Sequence, residues 1–245
     1  MKKLLHGFAM CQSMFCSIPC PWKIWDEEAR DQMLLFLPIV GLEIGVLWAG
    51  LGWLCTMLEL PKLVTALVLC LWPYVATGFI HLDGFMDVTD AVKSCRDAAR
   101  RREILKDPHA GSFAVIGVVL LILSQFSMFA SVQQIDLRIL VLIPAVSRCC
   151  SALAVKGLPP MSTSQYADQK KPKGHLLILA VQLILFLLAG FTLCGRSAPA
   201  LIGCLVGYAL ALRRAYRSLE GMNGDISGYA LSIAELCAVA VLALI

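Results

Sequence analysis

Thr77-Gly78-Phe79-Ile80-His81-Leu82-Asp83-Gly84-Phe85-Met86-Asp87-Val88-Thr89-Asp90-Ala91 is the stretch in which an otherwise greasy chain turns acidic. At about 100° per residue on a helix, Asp87 lies about 40° round from Asp83, Asp90 about 340° and Asp97 about 320°. All four acids therefore share one face, and Phe85, Val88 and Val92 fall opposite, where an amphipathic helix buries its apolar stripe. Carboxylates crowded on one edge repel unless a cation or protons intervene. Magnesium, a hard ion, takes oxygen ligands: one or two carboxylates together with a substrate's phosphate oxygens. Gly84 beside Asp83 is expected to leave room for a bulky ligand. The simpler reading is a solvated face, salt-bridged to Arg96, Arg100 and Arg101.

Outward from this stretch the chain is membrane material. Hydrophobic residues make up 59 % of it and charged residues only 16 %, against about 25 % charged in soluble domains. A bilayer core of about 30 Å needs about 20 apolar residues per helix. Seven runs qualify: roughly Met33–Leu58, Leu63–Ile80, Phe113–Val132, Leu137–Val155, Leu176–Cys194, Ala198–Leu212 and Tyr229–Ile245. The sixth is short and the second is broken by Pro73. Residues 1–32 read as an interfacial segment, with Pro19 and Pro21 breaking a helix ahead of Trp22 and Trp25. No cleavable signal peptide is expected. The fold class is therefore all-α: one polytopic helix bundle over residues 1–245, with 81–112 as an acidic loop and helix.

Basic residues orient it. With the N-terminus in the cytoplasm, seventeen of the 21 Lys and Arg residues fall on the cytoplasmic side. Only Lys62, Arg138 and Arg196 fall outside, and Arg148 lies within a span. The acids then face the cytoplasm. The eleven cysteines sit mostly in apolar spans, where Cys is a small hydrophobe, and no disulfide or zinc role is expected.

Other polar features carry competing readings. Glu220-Gly221-Met222-Asn223-Gly224-Asp225 enters the last span. Asp225 there suits a helix N-cap, or the second half of the acidic site. Glu43, Arg148 and Glu235 within spans must face the interior or a cavity, with Arg148 paired to Glu235 or Glu43. Arg148 reaches a phosphate only from the cytoplasmic end of its span. Lys106 and Asp107 precede the third span, with Gly111 giving backbone freedom. The Arg100–Arg102 run suits anionic lipid as well as nucleotide. The 157–174 loop is a connector or a lid. There is no GK[ST] phosphate loop and no G-x-S-x-G nucleophile.

These blocks resemble the cobalamin synthase family, the adenosylcobinamide-GDP ribazoletransferases. The likeness runs through Phe15–Pro19 with Trp22, Leu37–Gly41, the acidic stretch above, Arg101–Asp107 with Gly111 and Phe113, Pro144–Arg148, and Gly224–Gly228 with Glu235. The chain departs where that family usually carries Gly, at Phe79, Ala91 and Ala114, and where it carries Thr-Arg, at Cys16-Ser17. The resemblance implies that α-ribazole or its 5′-phosphate attacks adenosylcobinamide-GDP and that GMP leaves. On that basis Asp83, Asp87 and Asp90 are expected to hold Mg²⁺, with Asp225 closing the site. Lys106 or Arg148 would offset charge, Asn223 and Gly84 would touch substrate, and Asp107 or His81 would take the proton. Partners are then the two substrates and membrane lipid, without nucleic acid; a homo-oligomer is compatible. The rivals are a CDP-alcohol phosphotransferase-like enzyme, disfavoured by Met86-Asp87 where that pattern has Ala-Arg, and a transporter using the intramembrane charges.

Overall fold

The computed structural model describes residues 2–22, 24–162, 164–165 and 172–245. Lys23, Lys170 and Lys171, three of the seventeen basic residues of one side, lie outside the described residues, as does Thr163 of the 157–174 loop. Among the described residues eleven α-helices follow one another and there is no β-strand. They are α1 (Lys2–Phe15), α2 (Arg30–Met33), α3 (Leu37–Met57), α4 (Lys62–Ala76), α5 (Ile80–Lys93), α6 (Ala98–Ile104), α7 (Ser112–Ser131), α8 (Leu137–Gly157), α9 (Lys173–Leu193), α10 (Pro199–Leu219) and α11 (Gly224–Leu244).

Six of these (α3, α7, α8, α9, α10 and α11) are long and apolar enough to cross a membrane, so the protein is a multi-pass bundle. The sixth expected run is a full span, because α10 continues past Leu212 to Leu219. The second expected run is shorter than the sequence suggested. Pro73 does not break it; α4 runs through Pro73 to Ala76. The break comes at Thr77–Phe79, where the chain turns 89° into α5. Helix α4 packs against α3 and α7, and α5 against α11 and α7; together α4 and α5 form a sharply bent pair, a broken seventh span or a re-entrant loop by length and composition.

The turn has a local cause. Gly78 (φ +58°) and Phe79 (φ +64°) both take the left-handed conformation, which closes α4 with Phe79 N–H donating to the Tyr74 carbonyl at 2.9 Å. A bulky residue pays about 1–2 kcal/mol for that conformation, and Phe79 bears that cost here. The end carbonyls of α4 are satisfied from outside: Ser17 N–H donates to Ala76 O (2.8 Å) and Ser17 Oγ to Val75 O (2.9 Å). The N-terminal segment is thereby pinned to the bundle. Helix α1 buries Met10, Cys11, Gln12 and Phe15 against it, and Gln12 donates to Glu43 at 3.0 Å.

The core centres on α8, most of whose residues are buried. Without a hydrophobic gradient between lipid and protein, spans associate through close backbone approach. Gly41 and Gly45 of α3 supply it: a Cβ at Gly41 would meet Pro144 O at 2.5 Å, and one at Gly45 would meet Val141 O. Gly203 and Gly207 do the same for α10 against Cys237 of α11. The outer faces of α7 and α9 keep Leu, Ile and Val exposed, as lipid-facing helices do. All eleven cysteines are free thiols.

Candidate active site

The acidic helix α5 carries Asp83 exposed and Asp87 and Asp90 half-buried, with Phe85 and Val88 buried behind them. The fourth acid of the expected row does not belong to it. Helix α5 ends at Lys93, Cys95 turns the chain with φ +56°, and Asp97 caps α6 by accepting from Arg100 N–H at 2.9 Å. The salt-bridged alternative also fails among the described residues. Arg100 pairs with Glu103 (2.5 Å), and Arg102 donates to Leu219 O (3.3 Å) and Glu220 (2.9 Å) at the C-terminus of α10. Arg101 reaches Ser218 O at 3.5 Å. Helix C-termini attract such cations, so this run docks α6 and leaves the acids of α5 without an ion pair.

Asp225 joins the acids through tertiary contact. Asn223, not Asp225, is the N-cap of α11: its Oδ1 accepts from Ile226 N–H at 2.9 Å, and its amide donates to Asp225 Oδ2 at 2.6 Å. The Asp225 carboxylate is thus free of capping duty. Gly84 does not make room for a ligand as expected. A Cβ there would lie 2.9 Å from Asp225 Cα and 3.0 Å from Asp225 O, so the missing side chain seats α11 on α5. Three residues on, Gly228 meets the His81 backbone in the same crossing. Gly111 likewise gives space: a Cβ there would collide with the Asp90 carboxylate. Asp90 therefore rests at the N-terminus of α7, where the helix dipole favours an anion.

Asp87 sits at the centre of the patch. Burial first, then the charges of Asp83, Asp225 and Asp90, push its carboxyl up to about 6. Among the described residues no three His, Cys, Asp or Glu side chains converge closely enough to hold an ion by themselves.

The remaining candidates fall into three groups. His81 is buried, stacks on Phe15 (centroids 6.1 Å apart, 11° between planes) and leaves Nε2 without a partner among the described residues. Burial, reinforced by the Arg148 charge, pushes its imidazole down to about 3, so it is neutral. It lines a small chamber of about 70 Å³ with Asp225, Ser151 and Ser227. Those serines bond to each other, and sequence reasoning gave them no role. Lys106 and Asp107 are exposed. The His109 backbone N–H (3.0 Å), then its ring nitrogen (2.7 Å), hold the Asp107 carboxyl below the usual range. Arg148 lies mid-span, fully buried, donating to Glu235 at 2.6 Å. It is not brought to the acidic end.

A helical membrane protein with a carboxylate patch where a crosswise helix meets the last span is the class defined so far. A sequence model of cobalamin-5-phosphate synthase matches residues 7–243. Two proteins named adenosylcobinamide-GDP ribazoletransferase illustrate the likeness: one from Clostridium perfringens (strain SM101), 34 % identical over the whole of both chains, and one from Clostridium botulinum (strain Alaska E43), 31 % identical over 96 % of each. A third of that name, from Corynebacterium diphtheriae, is 30 % identical over 87 % of this chain and 82 % of its own. No solved structure matches. The chain belongs to the cobalamin-5-phosphate synthase family and is a transferase of cobalamin synthesis.

Proposed function

We propose that the protein is a magnesium-dependent adenosylcobinamide-GDP ribazoletransferase, with its acidic patch facing the cytoplasm of a bacterial inner membrane. The 3′-hydroxyl of α-ribazole, or of its 5′-phosphate, attacks the cobinamide-side phosphorus of the diphosphate. A P–O bond forms there as the bond to the GMP oxygen breaks, and the hydroxyl proton passes to a base. The products are adenosylcobalamin, or its phosphate, and GMP.

The observation that carries this reading is the seating of Asp225 on Gly84, which joins carboxylates from two distant segments into one unpaired patch. Such a patch is destabilised by its own repulsion and relieved by a cation. The donors are all carboxylate oxygens, which suits magnesium. Because magnesium needs only one or two carboxylates beside phosphate oxygens, an arrangement too loose to grip an ion alone fits one that arrives with a diphosphate. Asp83, Asp87 and Asp225 would hold it, with Asp90 adding charge from its seat on α7. When bound, the ion would neutralise the diphosphate and the departing GMP oxygen.

The chain's own groups supply positioning and proton transfer. Asn223 fixes the Asp225 carboxylate through its amide. Lys106, exposed between α6 and α7, would offset phosphate charge. For the hydroxyl proton, Asp107 and His81 are poor bases: one is held acidic by His109, and the other is held neutral by burial. Asp87, whose carboxyl is raised by burial and by its acidic neighbours, is a better acceptor than either. The transporter alternative is weakened, because Glu235 supplies the Arg148 counter-charge from within the fold.

The test is direct. Purified protein with adenosylcobinamide-GDP, α-ribazole 5′-phosphate and Mg²⁺ should release GMP, and chelation should stop it. Asp83→Asn should release none while remaining in the membrane at normal abundance. Full turnover by that variant removes the metal assignment.

A further inference from the structure

Beside the acids a trench runs between the N-terminal segment and the α4–α5 turn. Its near part, about 520 Å³, is lined by Ser17, Thr77, Gly78, Phe79 and Asp83 among others. Its far part, about 560 Å³, continues past Ile18 and Pro19 to Ile24 and Trp25. Ser13, Cys16 and Ser17 line both, so the trench is continuous. It is also built rather than incidental. The bonds from Ser17 to the end of α4 fix one wall to the other. At the far end Trp25 Nε1 donates to Glu27 at 2.6 Å, which sets the plane of an indole that stays 56 % exposed.

The chemistry of the lining changes along its length. Among the described residues Asp83 is the one charged residue lining the trench, at the near end; the far end offers aliphatic, sulfur and aromatic surface with the hydroxyls of Ser13 and Ser17. The acids nearest Trp25 are already engaged, Asp26 with His6 (2.6 Å) and Glu27 with Trp25 and Arg30. A guanine edge, rich in N–H donors, would find no free carboxylate there. A flat, largely apolar base joined to ribose and lacking N–H donors matches the lining. Each part of the trench has the volume of a drug-sized site, which suits a nucleoside.

We propose that this trench seats the acceptor nucleoside, its benzimidazole-type base against Ile18, Ile24 and Trp25 and its ribose toward Asp83. The assignment rests on the ribazoletransferase reading above and makes the N-terminal segment the determinant of base selectivity. A flat base stacks on an aromatic face regardless of sequence context, so Trp25 is the residue to change.

Trp25→Ala should raise the KM for α-ribazole 5′-phosphate roughly tenfold, the loss expected for one stacking ring, and leave the KM for adenosylcobinamide-GDP unmoved. Trp25→Phe should restore it. Trp22→Ala, equally exposed but off the trench, should change neither. Independently of turnover, α-ribazole 5′-phosphate should quench indole fluorescence in the wild type and lose most of that effect in Trp25→Phe. A rise in the adenosylcobinamide-GDP KM instead would hand the trench to the leaving nucleotide. Equal effects of Trp22→Ala and Trp25→Ala would make both rings membrane anchors, and unchanged quenching would also sink the proposal. Should the wild type bind the nucleoside but release no GMP, the ribazoletransferase reading fails and the trench stands.

Discussion

Two charged places in this bundle obey opposite rules. Mid-span, Arg148 and Glu235 are buried and bonded to each other, with Ser147 donating to the same Glu235 oxygen at 2.9 Å. At the crosswise helix, Asp83, Asp87, Asp90 and Asp225 are like charges with no cationic partner among the described residues. The first pairs opposite charges within the fold and ties α8 to α11. The second is open, and a binding partner must complete it. Composition does not separate the two. What separates them is whether the counter-charge is supplied by the fold.

The sharpest way to break the comparison is to open the closed pair. Glu235→Gln leaves the Arg148 guanidinium uncompensated in the core and should cost about 3–5 kcal/mol, seen as loss of detergent-extractable folded protein. Arg148→Met combined with Glu235→Leu should recover much of it. If Glu235→Gln alone is as stable as wild type, the pair is not structural.

Next comes the seam that creates the patch. Gly84→Ala inserts a methyl 2.9 Å from Asp225 backbone, an overpacking that should cost about 1–3 kcal/mol and lower turnover more than the same substitution at Gly50, which meets nothing. Thermal melts and GMP release on both variants would show it; equal activity would mean that α5 and α11 need not touch.

The open patch should also respond to pH. In the metal-free protein the raised Asp87 carboxyl binds its proton more tightly folded than unfolded. Its contribution to stability therefore falls as pH rises from about 4 through about 6. Mg²⁺ must displace that proton, so the stabilisation by Mg²⁺ should shrink below about pH 6. Asp87→Asn should flatten both trends in thermal-shift titrations with and without Mg²⁺. The smallest effect belongs to the turn: Phe79→Gly removes left-handed strain and should stabilise by about 1 kcal/mol, a small rise in melting temperature.

Much of the architecture was readable because its signals are local. Apolar runs of the right length mark α3, α7, α8, α9 and α11, and the period of the acids marks one face of α5 from Asp83 to Asp90. Asp97 was misplaced because the wheel assumes an unbroken helix, and nothing in Ser94-Cys95-Arg96 announces a left-handed turn. Gly84 and Gly111 were read as freedom or vacancy, since a sequence does not say what fills the space a glycine leaves. Asp225 was read as a possible cap because the neighbouring Asn223 competes for the same role, and only backbone geometry chooses between them. Ser151 gave no signal, and Ser227 stood only inside the Gly224–Gly228 block, with no role assigned to it.

Hydropathy, periodicity and charge asymmetry along the chain were enough to decide that this is a helical membrane protein with acids gathered on a short amphipathic helix. Those properties belong to residues close in sequence, and the bilayer acts on each segment separately. The crosswise set of α5, the arrival of Asp225 from some 140 residues away and the pairing of Arg148 with Glu235 were decided only by packing. They depend on which backbones approach closely enough for glycine to be required, and that is a property of the assembled bundle.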